Sequence, residues 1–290
     1  MSANGPDSGL LYSCFRATLG VYLTVHFIAL IRWGAETFSS EGILAHGDAS
    51  PLLRAFPNIL AVVDSPTAVT ALLASAALAS MFFTIGLWDR PAAIWCWYSL
   101  ACLFGRNPLT ANPSLPYVGW MLLAHQFLPG RPEGSRAARF AGGNLLAWRM
   151  PQPVQQAAWI VMALSYSYGG WTKLSSPSWI DGSAFAELLN NPLARPTALR
   201  EMLAACPDWI HQSLTWSALA LELLFAPLAL SARMRPWVWL AMVGMHVGLL
   251  VLIDFADLTV GMLLMHAFTF DPSWLRRTSK HQAVNREPKF

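Results

Sequence analysis

The sequence predicts an all-α, polytopic integral membrane protein with about eight transmembrane helices, and three observations support this fold class. Of the 290 residues, 55% are hydrophobic and only 12% are charged, whereas a soluble domain carries about twice that share of charge. The 14 tryptophans match the enrichment of indole rings at membrane–water interfaces. Apolar stretches near the roughly 20 residues that a spanning helix needs recur along the whole chain.

Eight apolar stretches are the predicted spans, and together they form a single transmembrane domain over residues 1–290. They cover residues 10–32, 67–87, 92–105, 114–129, 153–172, 212–231, 236–253 and 257–270. The third, fourth and eighth stretches are short for a crossing, so tilted or re-entrant segments are alternatives there. The polar, basic stretch 275–290 is expected to be a cytoplasmic tail.

The distribution of Lys and Arg predicts the orientation. If the N-terminus is cytoplasmic and eight spans alternate, about twice as many of these residues lie inside as outside, which satisfies the positive-inside rule. We therefore expect both termini in the cytoplasm and the long loops 33–66 and 173–211 on the outer face. In the bacterial inner membrane this active face is periplasmic, and in a secretory organelle it is lumenal. Residues 1–10 are polar and contain no Lys or Arg, so we expect no cleavable signal peptide.

Composition and motifs argue against several functional classes. A net charge of +3 is too small to favour nucleic acid as a partner. The four cysteines form no CxxC pair, which indicates packing roles. The chain has no HExxH, no phosphate-binding glycine loop and no GxSxG, so we expect no metal site, nucleotide-driven pump or serine hydrolase. No inverted repeat supports a transporter.

Lys173 is the candidate catalytic residue with the clearest setting. It lies where the predicted fifth span enters a polar loop, a position where lysine is costly and a functional site is the first hypothesis. Gly170, Gly169 and Tyr166 precede it by three, four and seven residues, on the same helical face. The glycines are expected to clear space and Tyr166 to supply an aromatic wall, so that a desolvated Lys173 can act as a base. The alternative is that the glycines allow close helix packing and Lys173 only extends its charge to the lipid interface.

Other ionisable groups lie inside predicted spans, where each needs a partner or a cavity. They are Arg16, His26, His125, Glu222, His246 and His266. Arg16 and Glu222 are the expected charged pair, with a polar clamp between helices as the structural alternative. For His125 and His266, which lie near the ends of their spans, a structural role is favoured.

Several short motifs follow one another along the chain in an order that matches a known protein family. The main one is Tyr168-Gly-Gly-Trp-Thr-Lys-Leu174, followed by Trp179-Ile-Asp-Gly182. The others are Arg16 with Gly20, Ser40-Glu-Gly-Ile-Leu-Ala45, Arg106-Asn-Pro with Asn112, Glu222 with Pro227, and His246. Together they resemble the membrane core of vitamin K-dependent γ-glutamyl carboxylase and its bacterial relatives, the horizontally transferred transmembrane (HTTM) domain. The resemblance covers about residues 10–275, nearly the whole chain.

The resemblance implies a quinol- and O2-dependent enzyme of the carbon–carbon lyase or ligase type. Lys173 matches the position of the carboxylase base, which deprotonates reduced vitamin K. Reaction with O2 then gives a stronger base that removes a glutamate γ-proton, and CO2 adds to the carbanion. The implied cofactors are reduced vitamin K or another quinol, with O2 and CO2 and without a metal. The implied partners are the lipid bilayer and a peptide or protein substrate.

The predicted site residues combine this resemblance with the sequence pattern. Lys173, Glu222 and His246 are the catalytic candidates. Candidates for binding a quinol-like or lipid-soluble substrate are Tyr166, Gly169, Gly170, Trp171, Trp179, Asn112, Arg16 and His26.

Three departures from the carboxylase weaken the expectation of glutamate carboxylation. The 290 residues include no counterpart of its large lumenal domain, Thr172 replaces the first of two adjacent lysines, and Pro113 occupies the position expected for an assisting histidine. The alternative function is a non-catalytic membrane protein that binds or matures a peptide, a lipid or a partner protein through the loops 33–66 and 173–211.

Overall fold

The structure is a computed structural model that describes residues 8–44, 50–110, 112–130 and 148–274. It is all-helical, with 75% helix and no strand in these ranges, which confirms the all-α part of the predicted fold class. The chain divides into two compact units, one formed by Met1–Val154 with Asp271–Phe290 and the other by Gln155–Phe270. The predicted tail at 275–290 lies outside the described residues.

The described part of the first unit is built on α1 (Ser8–Phe38), α2 (Pro66–Ile85), α3 (Asp89–Arg106) and α4 (Leu115–Ala124). The 3₁₀ turns Ile59–Ala61, Pro108–Thr110 and His125–Phe127 adjoin these helices. Helix α1 packs along α2, and α3 packs on both α2 and α4. Ser65 caps the first turn of α2, because its hydroxyl accepts from the Ala68 N–H at 3.3 Å, and a cap of this kind satisfies an otherwise unpaired helix donor.

Arg16 of α1 caps the C-terminal end of α2. Its guanidinium donates to the carbonyl oxygens of Phe83 and, at 3.0 Å, of Thr84. The helix ends there at Gly86, which has a left-handed conformation (φ 70°). Carbonyls in a last helical turn lack backbone partners and attract cations. Arg16 therefore binds a helix end, and Glu222, its expected partner, contacts Lys173.

Arg106, the last residue of α3, is fully buried and joins three polar chain segments. Its Nη2 lies 3.1 Å from Asp64 Oδ2 and donates to the carbonyl oxygens of Ser39 at 3.0 Å and Leu44 at 2.8 Å. A buried charge is tolerated only when it is paired and hydrogen-bonded. These contacts hold the segment after α1 and the segment before α2 against the end of α3.

Asp89, at the turn between α2 and α3, contributes stability that depends on pH. The pKa of its carboxyl lies below the ordinary value, mainly because of His125, whose Nε2 is 3.4 Å from Oδ2; the charge of Arg16 acts in the same direction. A lowered folded-state pKa gives stability that is present above the unfolded pKa and is lost as pH falls through the folded pKa. Between about pH 5 and pH 3, we expect the melting temperature of the unaltered protein to fall more steeply than that of Asp89→Asn. Parallel slopes would contradict this.

The second unit contains two sets of helices. The long ones are α5 (Gln152–Lys173), α9 (Asp208–Leu223), α11 (Arg235–Leu252) and α12 (Ala256–Thr269). The short ones are α6 (Pro177–Asp181), α7 (Ala184–Leu189), α8 (Ala198–Ala204) and α10 (Phe225–Leu230). Helices α11 and α12 pack together, and α9 contacts α6, α7 and α11.

Three helices of the described ranges are long and apolar enough to cross a membrane. They are Gly9–Phe38, Pro66–Ile85 and Arg235–Leu252, and Ala256–Thr269 is a shorter apolar helix. They are compatible with a membrane protein. The count of eight spans is not confirmed, although each predicted stretch contains a helix. The fourth stretch holds α4, which at 10 residues is about 15 Å long, and the sixth is interrupted at Leu224 between α9 and α10.

The stretch between α5 and α9, predicted as an outer loop, folds into three short helices. Thr215 of α9 orders it, because its hydroxyl accepts from the Phe185 N–H at 3.0 Å and donates to the Gly182 carbonyl at 2.9 Å. Gly182 has φ 89°, a conformation that favours glycine. Asp181 precedes it at the end of α6, and its pKa is held below the ordinary value by the Ser183 N–H, which donates at 2.8 Å.

Candidate functional site

An ion pair between Lys173 and Glu222 forms the centre of the candidate site. Lys173 is the last residue of α5, Glu222 lies in the last turn of α9, and Nζ contacts Oε2. The side chains are 27% and 10% exposed, respectively, so the pair is open to a ligand on the lysine side. The ring of Trp179, from α6, has its centroid 4.9 Å from Nζ, a distance at which a cation and an aromatic face attract each other.

Gly170 brings α5 against the backbone of α9. A Cβ added at Gly170 would lie 2.7 Å from the Leu223 backbone nitrogen, whereas one added at Gly169 would lie 3.7 Å from Glu222 Oε2. The space beside Gly170 is therefore filled by α9, and the expectation that both glycines clear space next to Lys173 is wrong for Gly170. The alternative of close helix packing describes it correctly.

Ser167, about one turn before Gly170 on α5, also stabilises the contact between α5 and α9. Its hydroxyl donates toward the carbonyl oxygens of Glu222 and Leu223, at 3.2 and 3.1 Å, and accepts from the Ala226 N–H at 3.0 Å. Pro227 has no N–H to donate to the Leu223 carbonyl, and the break between α9 and α10 frees the Ala226 N–H, so a hydroxyl from α5 binds there. Glu222 is thus positioned by its own backbone as well as by Lys173.

A second polar cluster lies along the same helix. The Tyr166 hydroxyl is 2.7 Å from His246 Nε2 on α11 and 2.8 Å from His266 Nε2 on α12, and all three side chains are buried. A hydroxyl has one hydrogen, so it donates to one imidazole and accepts from the Nε2–H of the other. When both rings are neutral they therefore hold different tautomers. Tyr166 is two turns before Lys173, about 10 Å along the axis of α5.

His266 is the residue of this cluster for which the sequence favoured a structural role. It lies 100 residues from Tyr166 in the chain, and no helical spacing relates residues so far apart. The sequence signal that could have identified His266 is that it is a histidine within an apolar helix, because an imidazole there needs a polar partner. Neither histidine Nδ1 has a hydrogen-bond partner within the described part of the chain.

Four further predicted residues have surroundings of their own. Trp171 is 68% exposed on the surface of α5. Arg16, His26 and Asn112 belong to the first compact unit. Asn112 lies in the turn before α4, where its Oδ1 accepts from the Ser114 N–H at 2.8 Å, and His26 lines a cavity. A role for these four residues in binding substrate stays a prediction.

Within the described ranges, no three His, Cys, Asp or Glu side chains come close enough together to hold a metal ion. Lys173 with Glu222, and the Tyr166 cluster, are groups that can transfer protons.

Comparison of the chain with protein-family models, curated proteins and solved structures found no match.

Proposed function

We propose that this chain is a membrane enzyme similar to vitamin K-dependent γ-carboxylase, in which Lys173 and Glu222 remove a proton from a quinol-like or lipid-soluble substrate. The observation that carries the proposal is the contact of Nζ with Oε2 at a helix end that is only partly exposed. The motif around Lys173, which resembles that of the carboxylases, supports the same reaction class.

The pair acts as one acid–base unit. An ammonium and a carboxylate in contact accept one proton together: Glu222 takes it directly, or the amine takes it after passing its own proton to Glu222. Both routes end with a lysine ammonium and a glutamic acid, so the proton belongs to the pair. The substrate O–H bond breaks, and the resulting oxyanion is attracted to the ammonium, which lowers the cost of its charge.

The Tyr166 cluster, about 10 Å along α5 from Lys173, can relay a proton. When one ring takes up a proton at Nδ1, its Nε2–H passes to the Tyr166 oxygen, the Tyr166 hydrogen passes to Nε2 of the other ring, and that ring releases a proton from its own Nδ1. His246 is accordingly the second acid–base group of the proposal, with Tyr166 as its hydrogen-bond partner. His266 is the other hydrogen-bond partner of the Tyr166 hydroxyl, so it gives or receives the proton that His246 receives or gives.

A quinol fits the chemistry of this site and is the proposed cofactor, with O2 and CO2 as co-reactants. Its bound form supplies an acidic aromatic hydroxyl. The Trp179 ring beside Nζ offers an aromatic face for such a ring. Carboxylation or another modification of a peptide is the proposed outcome of the reaction.

The proposal places the site on the periplasmic face of a bacterial inner membrane, with eight spans and both termini in the cytoplasm. It is supported by the distribution of Lys and Arg and by the helix found in each predicted stretch. Labelling of single cysteines at Ser175 and Ser231 with an impermeant reagent tests it. The proposal expects labelling of intact spheroplasts at position 175 alone, and labelling at position 231 contradicts it.

Substitution of the pair tests the enzymatic proposal. Purified protein in nanodiscs is supplied with a reduced quinol, candidate peptides, O2 and CO2, and products are followed by mass spectrometry. We expect Lys173→Gln and Glu222→Gln each to lower turnover by at least about 100-fold. The double variant should lose little more than either single one, because the two groups act together.

Glu201→Gln is the matched control, since Glu201 is an exposed acid on α8. Its turnover should equal that of the unaltered protein. Turnover that survives in Lys173→Gln overturns the proposed role of the pair, and multiplicative losses in the double variant overturn their action as a unit.

The alternative, a non-catalytic binding or maturation protein, is favoured by one observation. The short helices between α5 and α9 expose Ile180 at 55% and Met202 at 59%, and Trp209, in the first turn of α9, is 63% exposed. Exposed apolar groups that form one continuous patch mark a contact surface. A photo-crosslinker at position 202 that captures the same membrane partner in the presence and absence of quinol, with no turnover in vitro, supports this alternative. Turnover by the isolated protein contradicts it.

A further inference from the structure

The first unit contains an apolar cavity that the proposed reaction does not use. Its volume is about 400 Å³, and it lies between α1, α3 and α4. This size is within the range of about 300–1,000 Å³ that is typical of small-molecule sites. The walls include Trp97 and Ala101 on α3, His26 on α1, and Leu123 on α4.

The size of the cavity limits what it can hold. Its lining residues on and just after α3 run from Trp97 to Asn107, about 15 Å along the helix axis. A cavity of about 400 Å³ is of the size that holds one small ligand.

Polar groups in the walls are few, and one of them is a donor without an acceptor. Asn107 is occupied, since its Nδ2 donates to the Thr37 carbonyl at 2.9 Å and its Oδ1 accepts from the Leu109 N–H at 3.2 Å. The Trp97 indole N–H, in contrast, has no acceptor among the residues that the structure describes. A half-buried indole N–H beside an apolar cavity favours a ligand that carries a hydrogen-bond acceptor.

We propose that this cavity binds one hydrocarbon chain that ends in a carbonyl group, with the chain along α3 and the carbonyl oxygen accepting from Trp97 Nε1–H. A fatty acyl ester and a prenylated quinone both have this chemistry. The proposal does not depend on the reaction at Lys173, because the cavity and its residues lie entirely within the first unit.

Photolabelling with two matched probes tests the site. The first probe is methyl palmitate with a diazirine in its chain, and the second is hexadecane with the same diazirine and no carbonyl. After irradiation of the full chain in nanodiscs, we expect methyl palmitate to label the facing surfaces of α1, α3 and α4. Ala101→Leu narrows the cavity and should lower this labelling about tenfold. Ala74→Leu, at an exposed position of α2, should leave it unchanged.

Trp97→Phe separates the carbonyl contact from simple apolar binding. The phenyl ring keeps most of the wall and removes the donor, so labelling by methyl palmitate should fall about fivefold while labelling by the alkane probe stays the same. An equal loss for both probes overturns the assigned hydrogen bond. If Ala101→Leu does not fold, Leu123→Phe narrows the same cavity from α4 and carries the same expectation.

Competition experiments identify which class of molecule supplies the bound hydrocarbon chain. Excess unlabelled prenylated quinone or excess phospholipid should displace methyl palmitate, and the stronger competitor names the natural ligand class. Displacement by neither of them, or labelling spread evenly over the outward faces of α1 and α2 and unaffected by Ala101→Leu, overturns the proposal.

Discussion

Gly170→Ala is expected to lower the free energy of unfolding by about 2 kcal/mol, as overpacked sites do. The added Cβ would lie 2.7 Å from the Leu223 backbone nitrogen, and a backbone atom cannot rotate away as a side chain does. Helices α5 and α9 must therefore separate, and the Lys173–Glu222 contact lengthens with them. Denaturant unfolding in mild detergent measures the first effect, and any turnover that depends on the pair measures the second.

Gly169→Ala is the matched control for this substitution. Its Cβ would meet only Glu222 Oε2, at the ordinary contact distance of 3.7 Å. Alanine also favours the helix over glycine by up to about 1 kcal/mol, so this variant should be neutral or slightly stabilised. Equal losses for the two alanines would show that Gly170 does not set the approach of α5 to α9.

Arg106→Met should cost about 3 kcal/mol of unfolding free energy, in the range found when one partner of a buried ion pair is removed. The Arg106 side chain is 0% exposed, and its loss leaves Asp64 without its cation and the Ser39 and Leu44 carbonyls without their donor. Methionine restores most of the volume but no hydrogen bond. Thermal and denaturant unfolding of the full chain measure the loss.

Arg195→Met provides the exposed counterpart. Arg195 lies 3.0 Å from Asp254, but these side chains are 35% and 72% exposed, and pairs of this kind contribute about 1 kcal/mol or less. The two arginine variants should therefore differ by about 2 kcal/mol. Similar losses would mean that burial does not decide the contribution of Arg106.

Prediction of the helices succeeded where a local pattern was sufficient. The stretches 67–87 and 236–253 coincide with α2 and α11 to within a few residues, because a continuous apolar run bounded by Ser65, Gly86 or a proline is a local signal. The stretch 212–231 was predicted as one span, yet the helix breaks at Leu224. Pro227 is a local signal for this break, because it cannot donate to the Leu223 carbonyl. The hydroxyl that binds the freed backbone groups belongs to Ser167, 59 residues away from Ala226, and no local pattern includes it.

The candidate site shows the same division. The position of Lys173 at the end of a helix, and of Tyr166 two turns earlier on the same face, follows from spacing within one helix. The partner of Lys173 does not, since Glu222 is 49 residues away. The expected pairing of Arg16 with Glu222 followed charge alone, and charge does not specify which of several cations a carboxylate meets.

By itself, the sequence determined the all-α class, the apolar stretches that form the long helices, and the placement of one lysine at a helix end. These properties depend on composition and on neighbours within a few turns. Only the tertiary structure decided that Glu222 contacts Lys173, that Tyr166 lies between two histidines, that Gly170 fits the backbone of α9, and that Arg16 closes α2. Each of these contacts joins residues dozens of positions apart, and its existence depends on how whole helices pack, which no short stretch of sequence encodes.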